Sequence, residues 1–304
     1  MTNCYKQTIT KKLGKSVIKI IEEIKTISEQ SKCGEIALVG GIVRDIINIS
    51  SNKLTIKDLD LVIEGSAIEL AKAIEARIEI KRISKLTLYK KYDTAEIIID
   101  NLALDITSAR VESYNHAGSN PTIIFSEIDR DLSRRDFTIN SMAIDLKDFN
   151  LLDRYNGKKD LKVGNLKLIH NKSIADDPTR IVRAARYSAR LNLNLDSKSR
   201  RQIISTLSDW PWLSFESKTI INPEKSLAVR LKMELLLLFN ENCWERALKI
   251  FSNLNGFMLL DKQIHLNKKN SHRVQRAIKL SLDPLTALIL EAKDPESLGK
   301  RLQI

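Results

Sequence analysis

"EIALVGGIVRDIIN" (residues 35–48) and "KDLDLVIEG" (residues 57–65) decide the fold of the first half. A short apolar run ends at Gly40-Gly41, which predicts a buried strand entering a turn. "IVRDIIN" returns to helical spacing, and "DLDLVI" alternates as a strand with one buried face. Side chains two apart on a strand point the same way, so Asp58 and Asp60 share a face. Gly40 and Gly41 stand between strand and helix, where bare backbone N–H groups can approach a phosphate, and Arg44 follows one turn into the helix. Taken singly, a glycine pair is also an ordinary tight turn, and D-x-D occurs by chance in many proteins. A glycine turn, an arginine and a carboxylate pair in succession form the layout that a nucleoside triphosphate needs.

Working outward, residues 16–31 repeat apolar positions at helical spacing, and "SAIELAKAIEARI" is a helix with Ser66 as its N-cap. "TAEIIID" and "LALDITSA" read as two strands joined at Asp100-Asn101, a hairpin turn, with Asp105 on the second. Residues 109–133, containing "HAGSNP", read as a long polar loop, "MAIDL" as a strand and "RYNGKKDL" as a turn. From residue 174 onward no strand is legible, and "PEKSLAVRLKMELLLLF", "CWERALKIF", "SHRVQRAIKLSL" and "PLTALILEAK" read as helices. The expected architecture is an α+β head followed by an all-helical remainder, with a boundary near 150–173.

A chain of 304 residues suits about two domains. Its 50 basic and 38 acidic side chains leave a net charge of +12. Residues 1–150 hold 22 of each sign, whereas residues 151–304 hold 28 basic and 16 acidic. The whole excess lies in the second half, which points to a polyanion gripped there through its backbone. With only 5% aromatic residues, a ladder of stacking platforms is not expected, and phosphate and shape contacts to a folded nucleic acid fit better. The start, "MTNCYKQTITKK", has no apolar signal region, and no run approaches the ~18 apolar residues of a membrane span, so a cytoplasmic protein without membrane association is expected. Cys4, Cys33 and Cys243 are isolated, which argues against a disulfide framework or a zinc site.

The Asp58–Asp60 pair offers hard oxygen ligands suited to Mg²⁺, and Asp105, on a candidate neighbouring strand, could complete a two-metal site for in-line phosphoryl transfer. In "RRDFTINSMAID", Arg134 and Arg135 precede an expected helix and suit a phosphate. "DDPTRIVRAARY" (residues 176–187) places acids and a proline where a helix starts. Spacing then stacks Arg183, Arg186 and Arg190 on one face, and puts Asp177 and Arg180 on a shared face at i, i+3.

"LVGGIVRD", "DLD", "RRDFTINSMAID", "DRYNGKKDL" and "DDPTRIVRAARYSARL", in that order, resemble the class II tRNA nucleotidyltransferase and bacterial poly(A) polymerase family. The resemblance runs from about residue 35 to about residue 195, and five ordered motifs make it specific. It implies a polymerase-beta-like nucleotidyltransferase head in 1–150, a nucleotide-recognising helical neck in 151–240, and a short helical RNA-binding body in 241–304. Carried over position by position, Asp58 and Asp60 would bind the catalytic Mg²⁺. Gly40, Gly41, Arg44, Arg135, Asp177, Arg180, Arg183 and Arg186 would contact the nucleotide. The implied partners are the tRNA 3′ end and, as substrates, CTP and/or ATP.

The family's nucleotide-selecting motif falls on Asp177 and Arg180, and hydrogen bonding explains its logic. Cytosine presents an amino donor beside a ring-nitrogen acceptor, and so does adenine. A carboxylate accepts from either amino group while a guanidinium donates to either ring nitrogen. Uracil and guanine present a carbonyl and an N–H there, so acceptor would meet acceptor and donor would meet donor. Arg183 and Arg186 would then face the triphosphate or the ribose.

Some positions depart from the family. Asp176 stands where Glu is common, and "NISSNKLTI" lengthens the turn between Arg44 and Asp58. Arg230 and Glu234 resemble the neck's later helix motif, beyond which the body looks abbreviated. Full CCA addition, CC addition, terminal A addition and poly(A) synthesis share these motifs, and loop 109–133 is the expected place for a switch between C and A. "DLDLVIEGSAIELA" is similar to members that add only the terminal A. The competing readings are a poly(A) polymerase, a catalytically silent RNA-binding protein of the same fold, and a nucleotidyltransferase acting on proteins or small molecules. Retention of Asp58, Asp60, Arg135, Asp177 and Arg180 together argues against the silent module, and the basic second half argues against the last.

Overall fold

The computed structural model describes residues 5–48, 56, 58–208, 210 and 225–304. Cys4 and most of the lengthened turn "NISSNKLTI" lie outside the described residues, as do Pro223 and Glu224. The chain divides into two compact units, Met1–Ser113 with Thr122–Val163, and Tyr114–Pro121 with Gly164–Ile304.

The first unit is built on a sheet. Its strands are β1 (Ile36–Val39), β2 (Asp58–Ile63), β3 (Ile83–Tyr89), β4 (Thr94–Ile99), β5 (Leu102–Ser108), a separate ribbon β6 (Arg110–Ser113) and β7 (Thr122–Phe125), then β8 (Ala143–Asp145) and β9 (Leu151–Leu152). Seven of them form one sheet in the order β3-β4-β5-β2-β1-β8-β9. All its neighbouring pairs are antiparallel except β2 and β5, which run parallel and set Asp60 opposite Asp105. Helices α1 (Lys6–Leu13), α2 (Lys15–Ser31), α3 (Gly41–Ile47), α4 (Ala67–Arg77), α5 (Ile128–Asp131) and α6 (Gly157–Val163) complete the unit.

Alternation along the strands sorts the two faces. Leu59, Leu61, Ile63, Leu104 and Ile106 are buried in one cluster with Ile21 and Ile24 of α2 and Leu70 and Ile74 of α4. A smaller cluster on the other face joins Val39, Val62, Ala109 and Ala143 to Ile128 and Leu132. Asp58, Asp60 and Asp105 alternate with the large cluster and remain exposed.

Several expectations match these elements. Ser66 caps α4, its Oγ accepting from the Glu69 backbone N–H at 3.2 Å. Asp100 and Asn101 turn the β4–β5 hairpin with φ of 50° and 67°, the left-handed values that a tight hairpin needs. Others are corrected. The stretch 109–133 is no open loop, because it contains the β6–β7 ribbon and α5. "RYNGKKDL" holds α6, whose first N–H groups, those of Gly157 and Lys158, are accepted by the Asp153 carboxylate at 2.6 and 3.1 Å. No α-helix follows Arg135 directly; Thr138–Asn140 forms a single 3₁₀ turn.

The second unit is helical, with α7 (Ser173–Asp176), α8 (Arg180–Arg190), α9 (Ser197–Ser208), α10 (Lys225–Phe239), α11 (Trp244–Asn253), α12 (Lys268–Lys279), α13 (Pro284–Ile289) and α14 (Pro295–Leu302). One short parallel pair, β10 (Asn165–Leu166) with β11 (Asn194–Leu195), corrects the expectation of no strand after residue 174. Asn267, Asp283 and Asp294 cap the last three helices through their side chains, and Pro284 and Pro295 occupy first-turn positions where a missing N–H costs nothing. Ile181 and Ala185 of α8, Leu235 and Leu238 of α10, and Leu248 and Phe251 of α11 are among its fully buried side chains.

Candidate active site

In the first unit the site lies where β1 ends and β2 begins. Gly40 leaves β1 with φ +73°, a conformation that L side chains rarely adopt. A Cβ built there would stand 3.1 Å from Asp60 Oδ2 and 3.4 Å from Arg135 Nη1. The bare backbone, an exposed carboxylate and a guanidinium thus meet at one point, and any side chain at residue 40 would fill it. Asp58 lies two residues along the same strand face and Asp105 directly opposite Asp60 on β5, across from Glu96 on β4. Partial desolvation between β2 and β4 pushes the Asp105 carboxyl above its usual value though its side chain reaches solvent, and the charges of Glu96 and Asp58 add to this against a smaller opposing effect of Lys85. A face with this accumulated negative charge is suited to a cation.

Among the described residues no three His, Cys, Asp or Glu side chains are gathered to hold a metal by themselves. A cage made wholly of protein is not what Mg²⁺ requires. It binds through one or two carboxylates together with substrate phosphates and retained waters, and two exposed aspartates beside a bare glycine turn fit that mode.

Arg135 owes its placement to Asp131, which lies outside the five motifs. Asp131 is fully buried and accepts from Arg135 Nη2 at 3.0 Å and Nε at 3.3 Å, and from Arg134 Nε at 2.8 Å. Burial alone would raise its carboxyl, but the Arg135 and Arg134 guanidinium groups outweigh this and hold it below the usual carboxylate range. The signal was present in "DLSRR", since residues three and four beyond an acid return to its side of a turn. Arg44, expected at the nucleotide, is buried: its Nε and Nη2 donate to Asp45 at 2.8 and 3.0 Å and its Nη1 to Asn140 Oδ1 at 2.8 Å. Asn140 in turn donates to Asp136 at 3.0 Å. Gly41 lies over that guanidinium, its ideal Cβ 3.4 Å from Arg44 Nη2. In this structure Arg44 braces the glycine turn.

In the second unit, Asp177 stands ahead of α8, not on it. Its backbone is extended (φ −143°, ψ 97°), as expected for a residue preceding proline, so it and Arg180 do not share a helix face. Its Oδ1 accepts from the Thr179 N–H at 3.2 Å and Oγ1 at 2.8 Å. Arg180 is 6% exposed, and its Nη1 donates to Ser173 Oγ at 2.6 Å. Asp176 lies 3.8 Å from His170 Nε2; burial raises the acid and lowers the imidazole.

The arginine stripe has partners from far along the chain. Glu234 accepts from Arg183 at 2.9 Å and Arg186 at 2.5 Å, and Glu241 from Arg186 at 3.2 Å and Arg190 at 3.3 Å. Arg183 and Arg190 also lie over the Tyr187 ring, at 5.4 and 5.2 Å from its centroid. Much of the stripe therefore anchors α8 to the segment 234–241.

The family model of the poly A polymerase head domain matches residues 36–167. Over 173 residues the chain is 39% identical to the A-adding tRNA nucleotidyltransferase of Halalkalibacterium halodurans, covering 56% of this chain and 39% of that protein. It is 32% identical over 205 residues to the CC-adding tRNA nucleotidyltransferase of Deinococcus radiodurans, covering 65% of this chain and 53% of that protein. The chain thus spans about half or less of the length of these curated relatives. The fold is similar to that of the Thermotoga maritima CCA-adding enzyme solved in complex with tRNA, at a TM-score of 0.76 and 23% identity, covering 100% of this chain and 70% of that one. Residues 36–167 thus match a poly A polymerase head domain, and the chain is similar to A-adding and CC-adding tRNA nucleotidyltransferases over somewhat more than half its length.

Proposed function

We propose that the protein is a template-independent RNA nucleotidyltransferase that adds C and/or A, from CTP or ATP, to the 3′ end of tRNA. The observation that carries this reading is the exposed Asp58–Asp60 pair beside the bare backbone of Gly40 and the guanidinium of Arg135. In the reaction the RNA 3′ hydroxyl gives its proton to water as its oxygen bonds to the α-phosphorus, the bond from that phosphorus to the bridging oxygen of the β-phosphate breaks, and pyrophosphate leaves with the electron pair. Mg²⁺ held by Asp58 and Asp60 would supply charge for the attacking and leaving oxygens. The remaining work falls to the chain itself. Gly40 lets the triphosphate approach the backbone, and Arg135, oriented by Asp131, offers charge-assisted hydrogen bonds to it.

Base choice falls to the Asp177 carboxylate, which accepts the amino group of C or A, and to the Arg180 guanidinium, which donates to the ring nitrogen. Leaving a buried polar pair mismatched costs roughly 1–3 kcal/mol per group, which favours C and A over U and G. The excess positive charge of residues 151–304 suits the phosphates of tRNA.

The test is incorporation by purified protein with Mg²⁺ and singly labelled CTP, ATP, UTP or GTP, on tRNA transcripts ending before CCA, after C and after CC. C and A in order would identify a complete CCA-adding enzyme, and C alone or A alone a half reaction. Long A tails on unrelated RNA would replace this reading with a poly(A) polymerase, and tRNA binding without incorporation with a silent RNA-binding module.

A further inference from the structure

Arg230 lies on α10 and touches two things that the family motifs treat separately. Its Nη1 donates to Asn120 Oδ1 at 3.3 Å and its Nη2 to the Gly118 carbonyl at 3.2 Å, so its fork holds the connection between β6 and β7. Its Nε lies 3.8 Å from Asp177 Oδ1, closed from solvent and without a hydrogen-bond acceptor. The connection is seated independently as well. The Gly118 N–H donates to the Ala175 carbonyl at 2.9 Å, two residues before Asp177. Gly118 has φ +71°, and a Cβ there would come within 2.6 Å of Leu227 Cδ2 on α10. All these residues belong to the second unit.

The hydrogen bonds that Asp177 accepts, both from Thr179, fall on Oδ1, and Arg230 stands beside the same oxygen. With Oδ1 anchored, Oδ2 is the oxygen that meets an incoming amino group. A carboxylate free to turn would offer either oxygen at several angles and would discriminate less sharply between an amino donor and a carbonyl.

We infer that Arg230 is a positioning residue for base selection: it fixes the orientation of the Asp177 carboxylate and ties that orientation to the seating of residues 118–120. The inference rests on the functional reading above, in which Asp177 accepts the amino group of C or A. A merely structural arginine would affect stability and total turnover. A positioning arginine affects which base is taken.

The experiment compares wild type, Arg230→Gln and Arg230→Lys, measuring kcat/KM for each nucleotide on the tRNA transcript that the wild type extends, with thermal melting alongside. Arg230→Gln is expected to lower the ratio of the preferred nucleotide over UTP about tenfold, between the effect of a charge about 4 Å from a carboxylate in bulk water and its effect near a protein surface. Arg230→Lys restores the cation beside Asp177 without the fork to Asn120 and Gly118, and is expected to recover at least half of that loss on a logarithmic scale. Wild-type selectivity in a folded Arg230→Gln protein would overturn the inference alone. Should Arg230→Gln fail to fold, Arg230→Met decides in its place: a ratio lowered threefold or more supports the role, and a smaller change overturns it. Absence of incorporation by the wild type would overturn the functional reading, and this inference with it.

Discussion

Asp131→Asn is a demanding test of how the phosphate side of the site is built. The carboxylate is fully shielded and accepts from Arg134 Nε (2.8 Å) and the Arg110 backbone N–H (3.3 Å) on Oδ1, and from Arg135 Nη2 (3.0 Å) and Nε (3.3 Å) on Oδ2. Asparagine converts one oxygen into an N–H donor, so either the Oδ1 pair or the Oδ2 pair of bonds is lost and a donor faces a guanidinium. Hydrogen bonds to charged groups contribute about 1.5–3 kcal/mol each, and the arginines are still 17–19% exposed, so the loss should be about 3 kcal/mol. For a unit of this size that is a fall of roughly 6–12 °C in its melting transition. Urea unfolding at pH 7 should show a lower midpoint at unchanged slope. The folded carboxyl is held below its ordinary value, so its contribution is fully present above the usual carboxylate range and is lost as pH falls through the folded value. The gap between wild type and variant should therefore narrow below about pH 4. A loss under about 1 kcal/mol at pH 7, or a gap indifferent to acid, would refute the claim that one buried anion orders both arginines.

Asp58→Ala should abolish nucleotide transfer while leaving tRNA binding, measured by filter retention or gel shift, within about threefold of wild type, since phosphate contacts of the basic half carry that affinity. Asp177→Ala should relax base selection, and competition between labelled CTP or ATP and UTP would show it; full selectivity in that variant would refute the base-reading role of Asp177. Gly40→Ala places a methyl 3.1 Å from Asp60 Oδ2 in a conformation costing about 1–3 kcal/mol, so nucleotide KM should rise at least tenfold with little change in the far-ultraviolet circular dichroism spectrum.

Periodicity and turn chemistry made the centre of the first unit legible: the glycine turn after β1, the alternation of β2, the Ser66 cap and the Asp100-Asn101 hairpin are all local signals. Two of the strands that escaped such reading keep their side chains wet. β3 is an edge strand with no fully buried residue, and β7 shows mostly exposed positions, including Ile124 at 65% and Phe125 at 58%, so neither carries the alternation that burial imposes.

The candidate site divides along the same line. The sequence alone determined which residue types stand at which spacing: Asp58 two before Asp60, glycines ahead of Arg44, and arginines three or four apart on α8. Only the tertiary structure decided what those groups touch. Parallel pairing of β2 with β5 set Asp105 opposite Asp60, Asn140 came from 96 residues away to hold Arg44, and Glu234 and Glu241 came from 48 to 55 residues away to occupy the arginine stripe. Charge at a helical spacing states only which face it occupies. Whether that face meets a partner or water depends on distant chain segments brought beside it by the burial of apolar surface, and a local pattern holds no information about that.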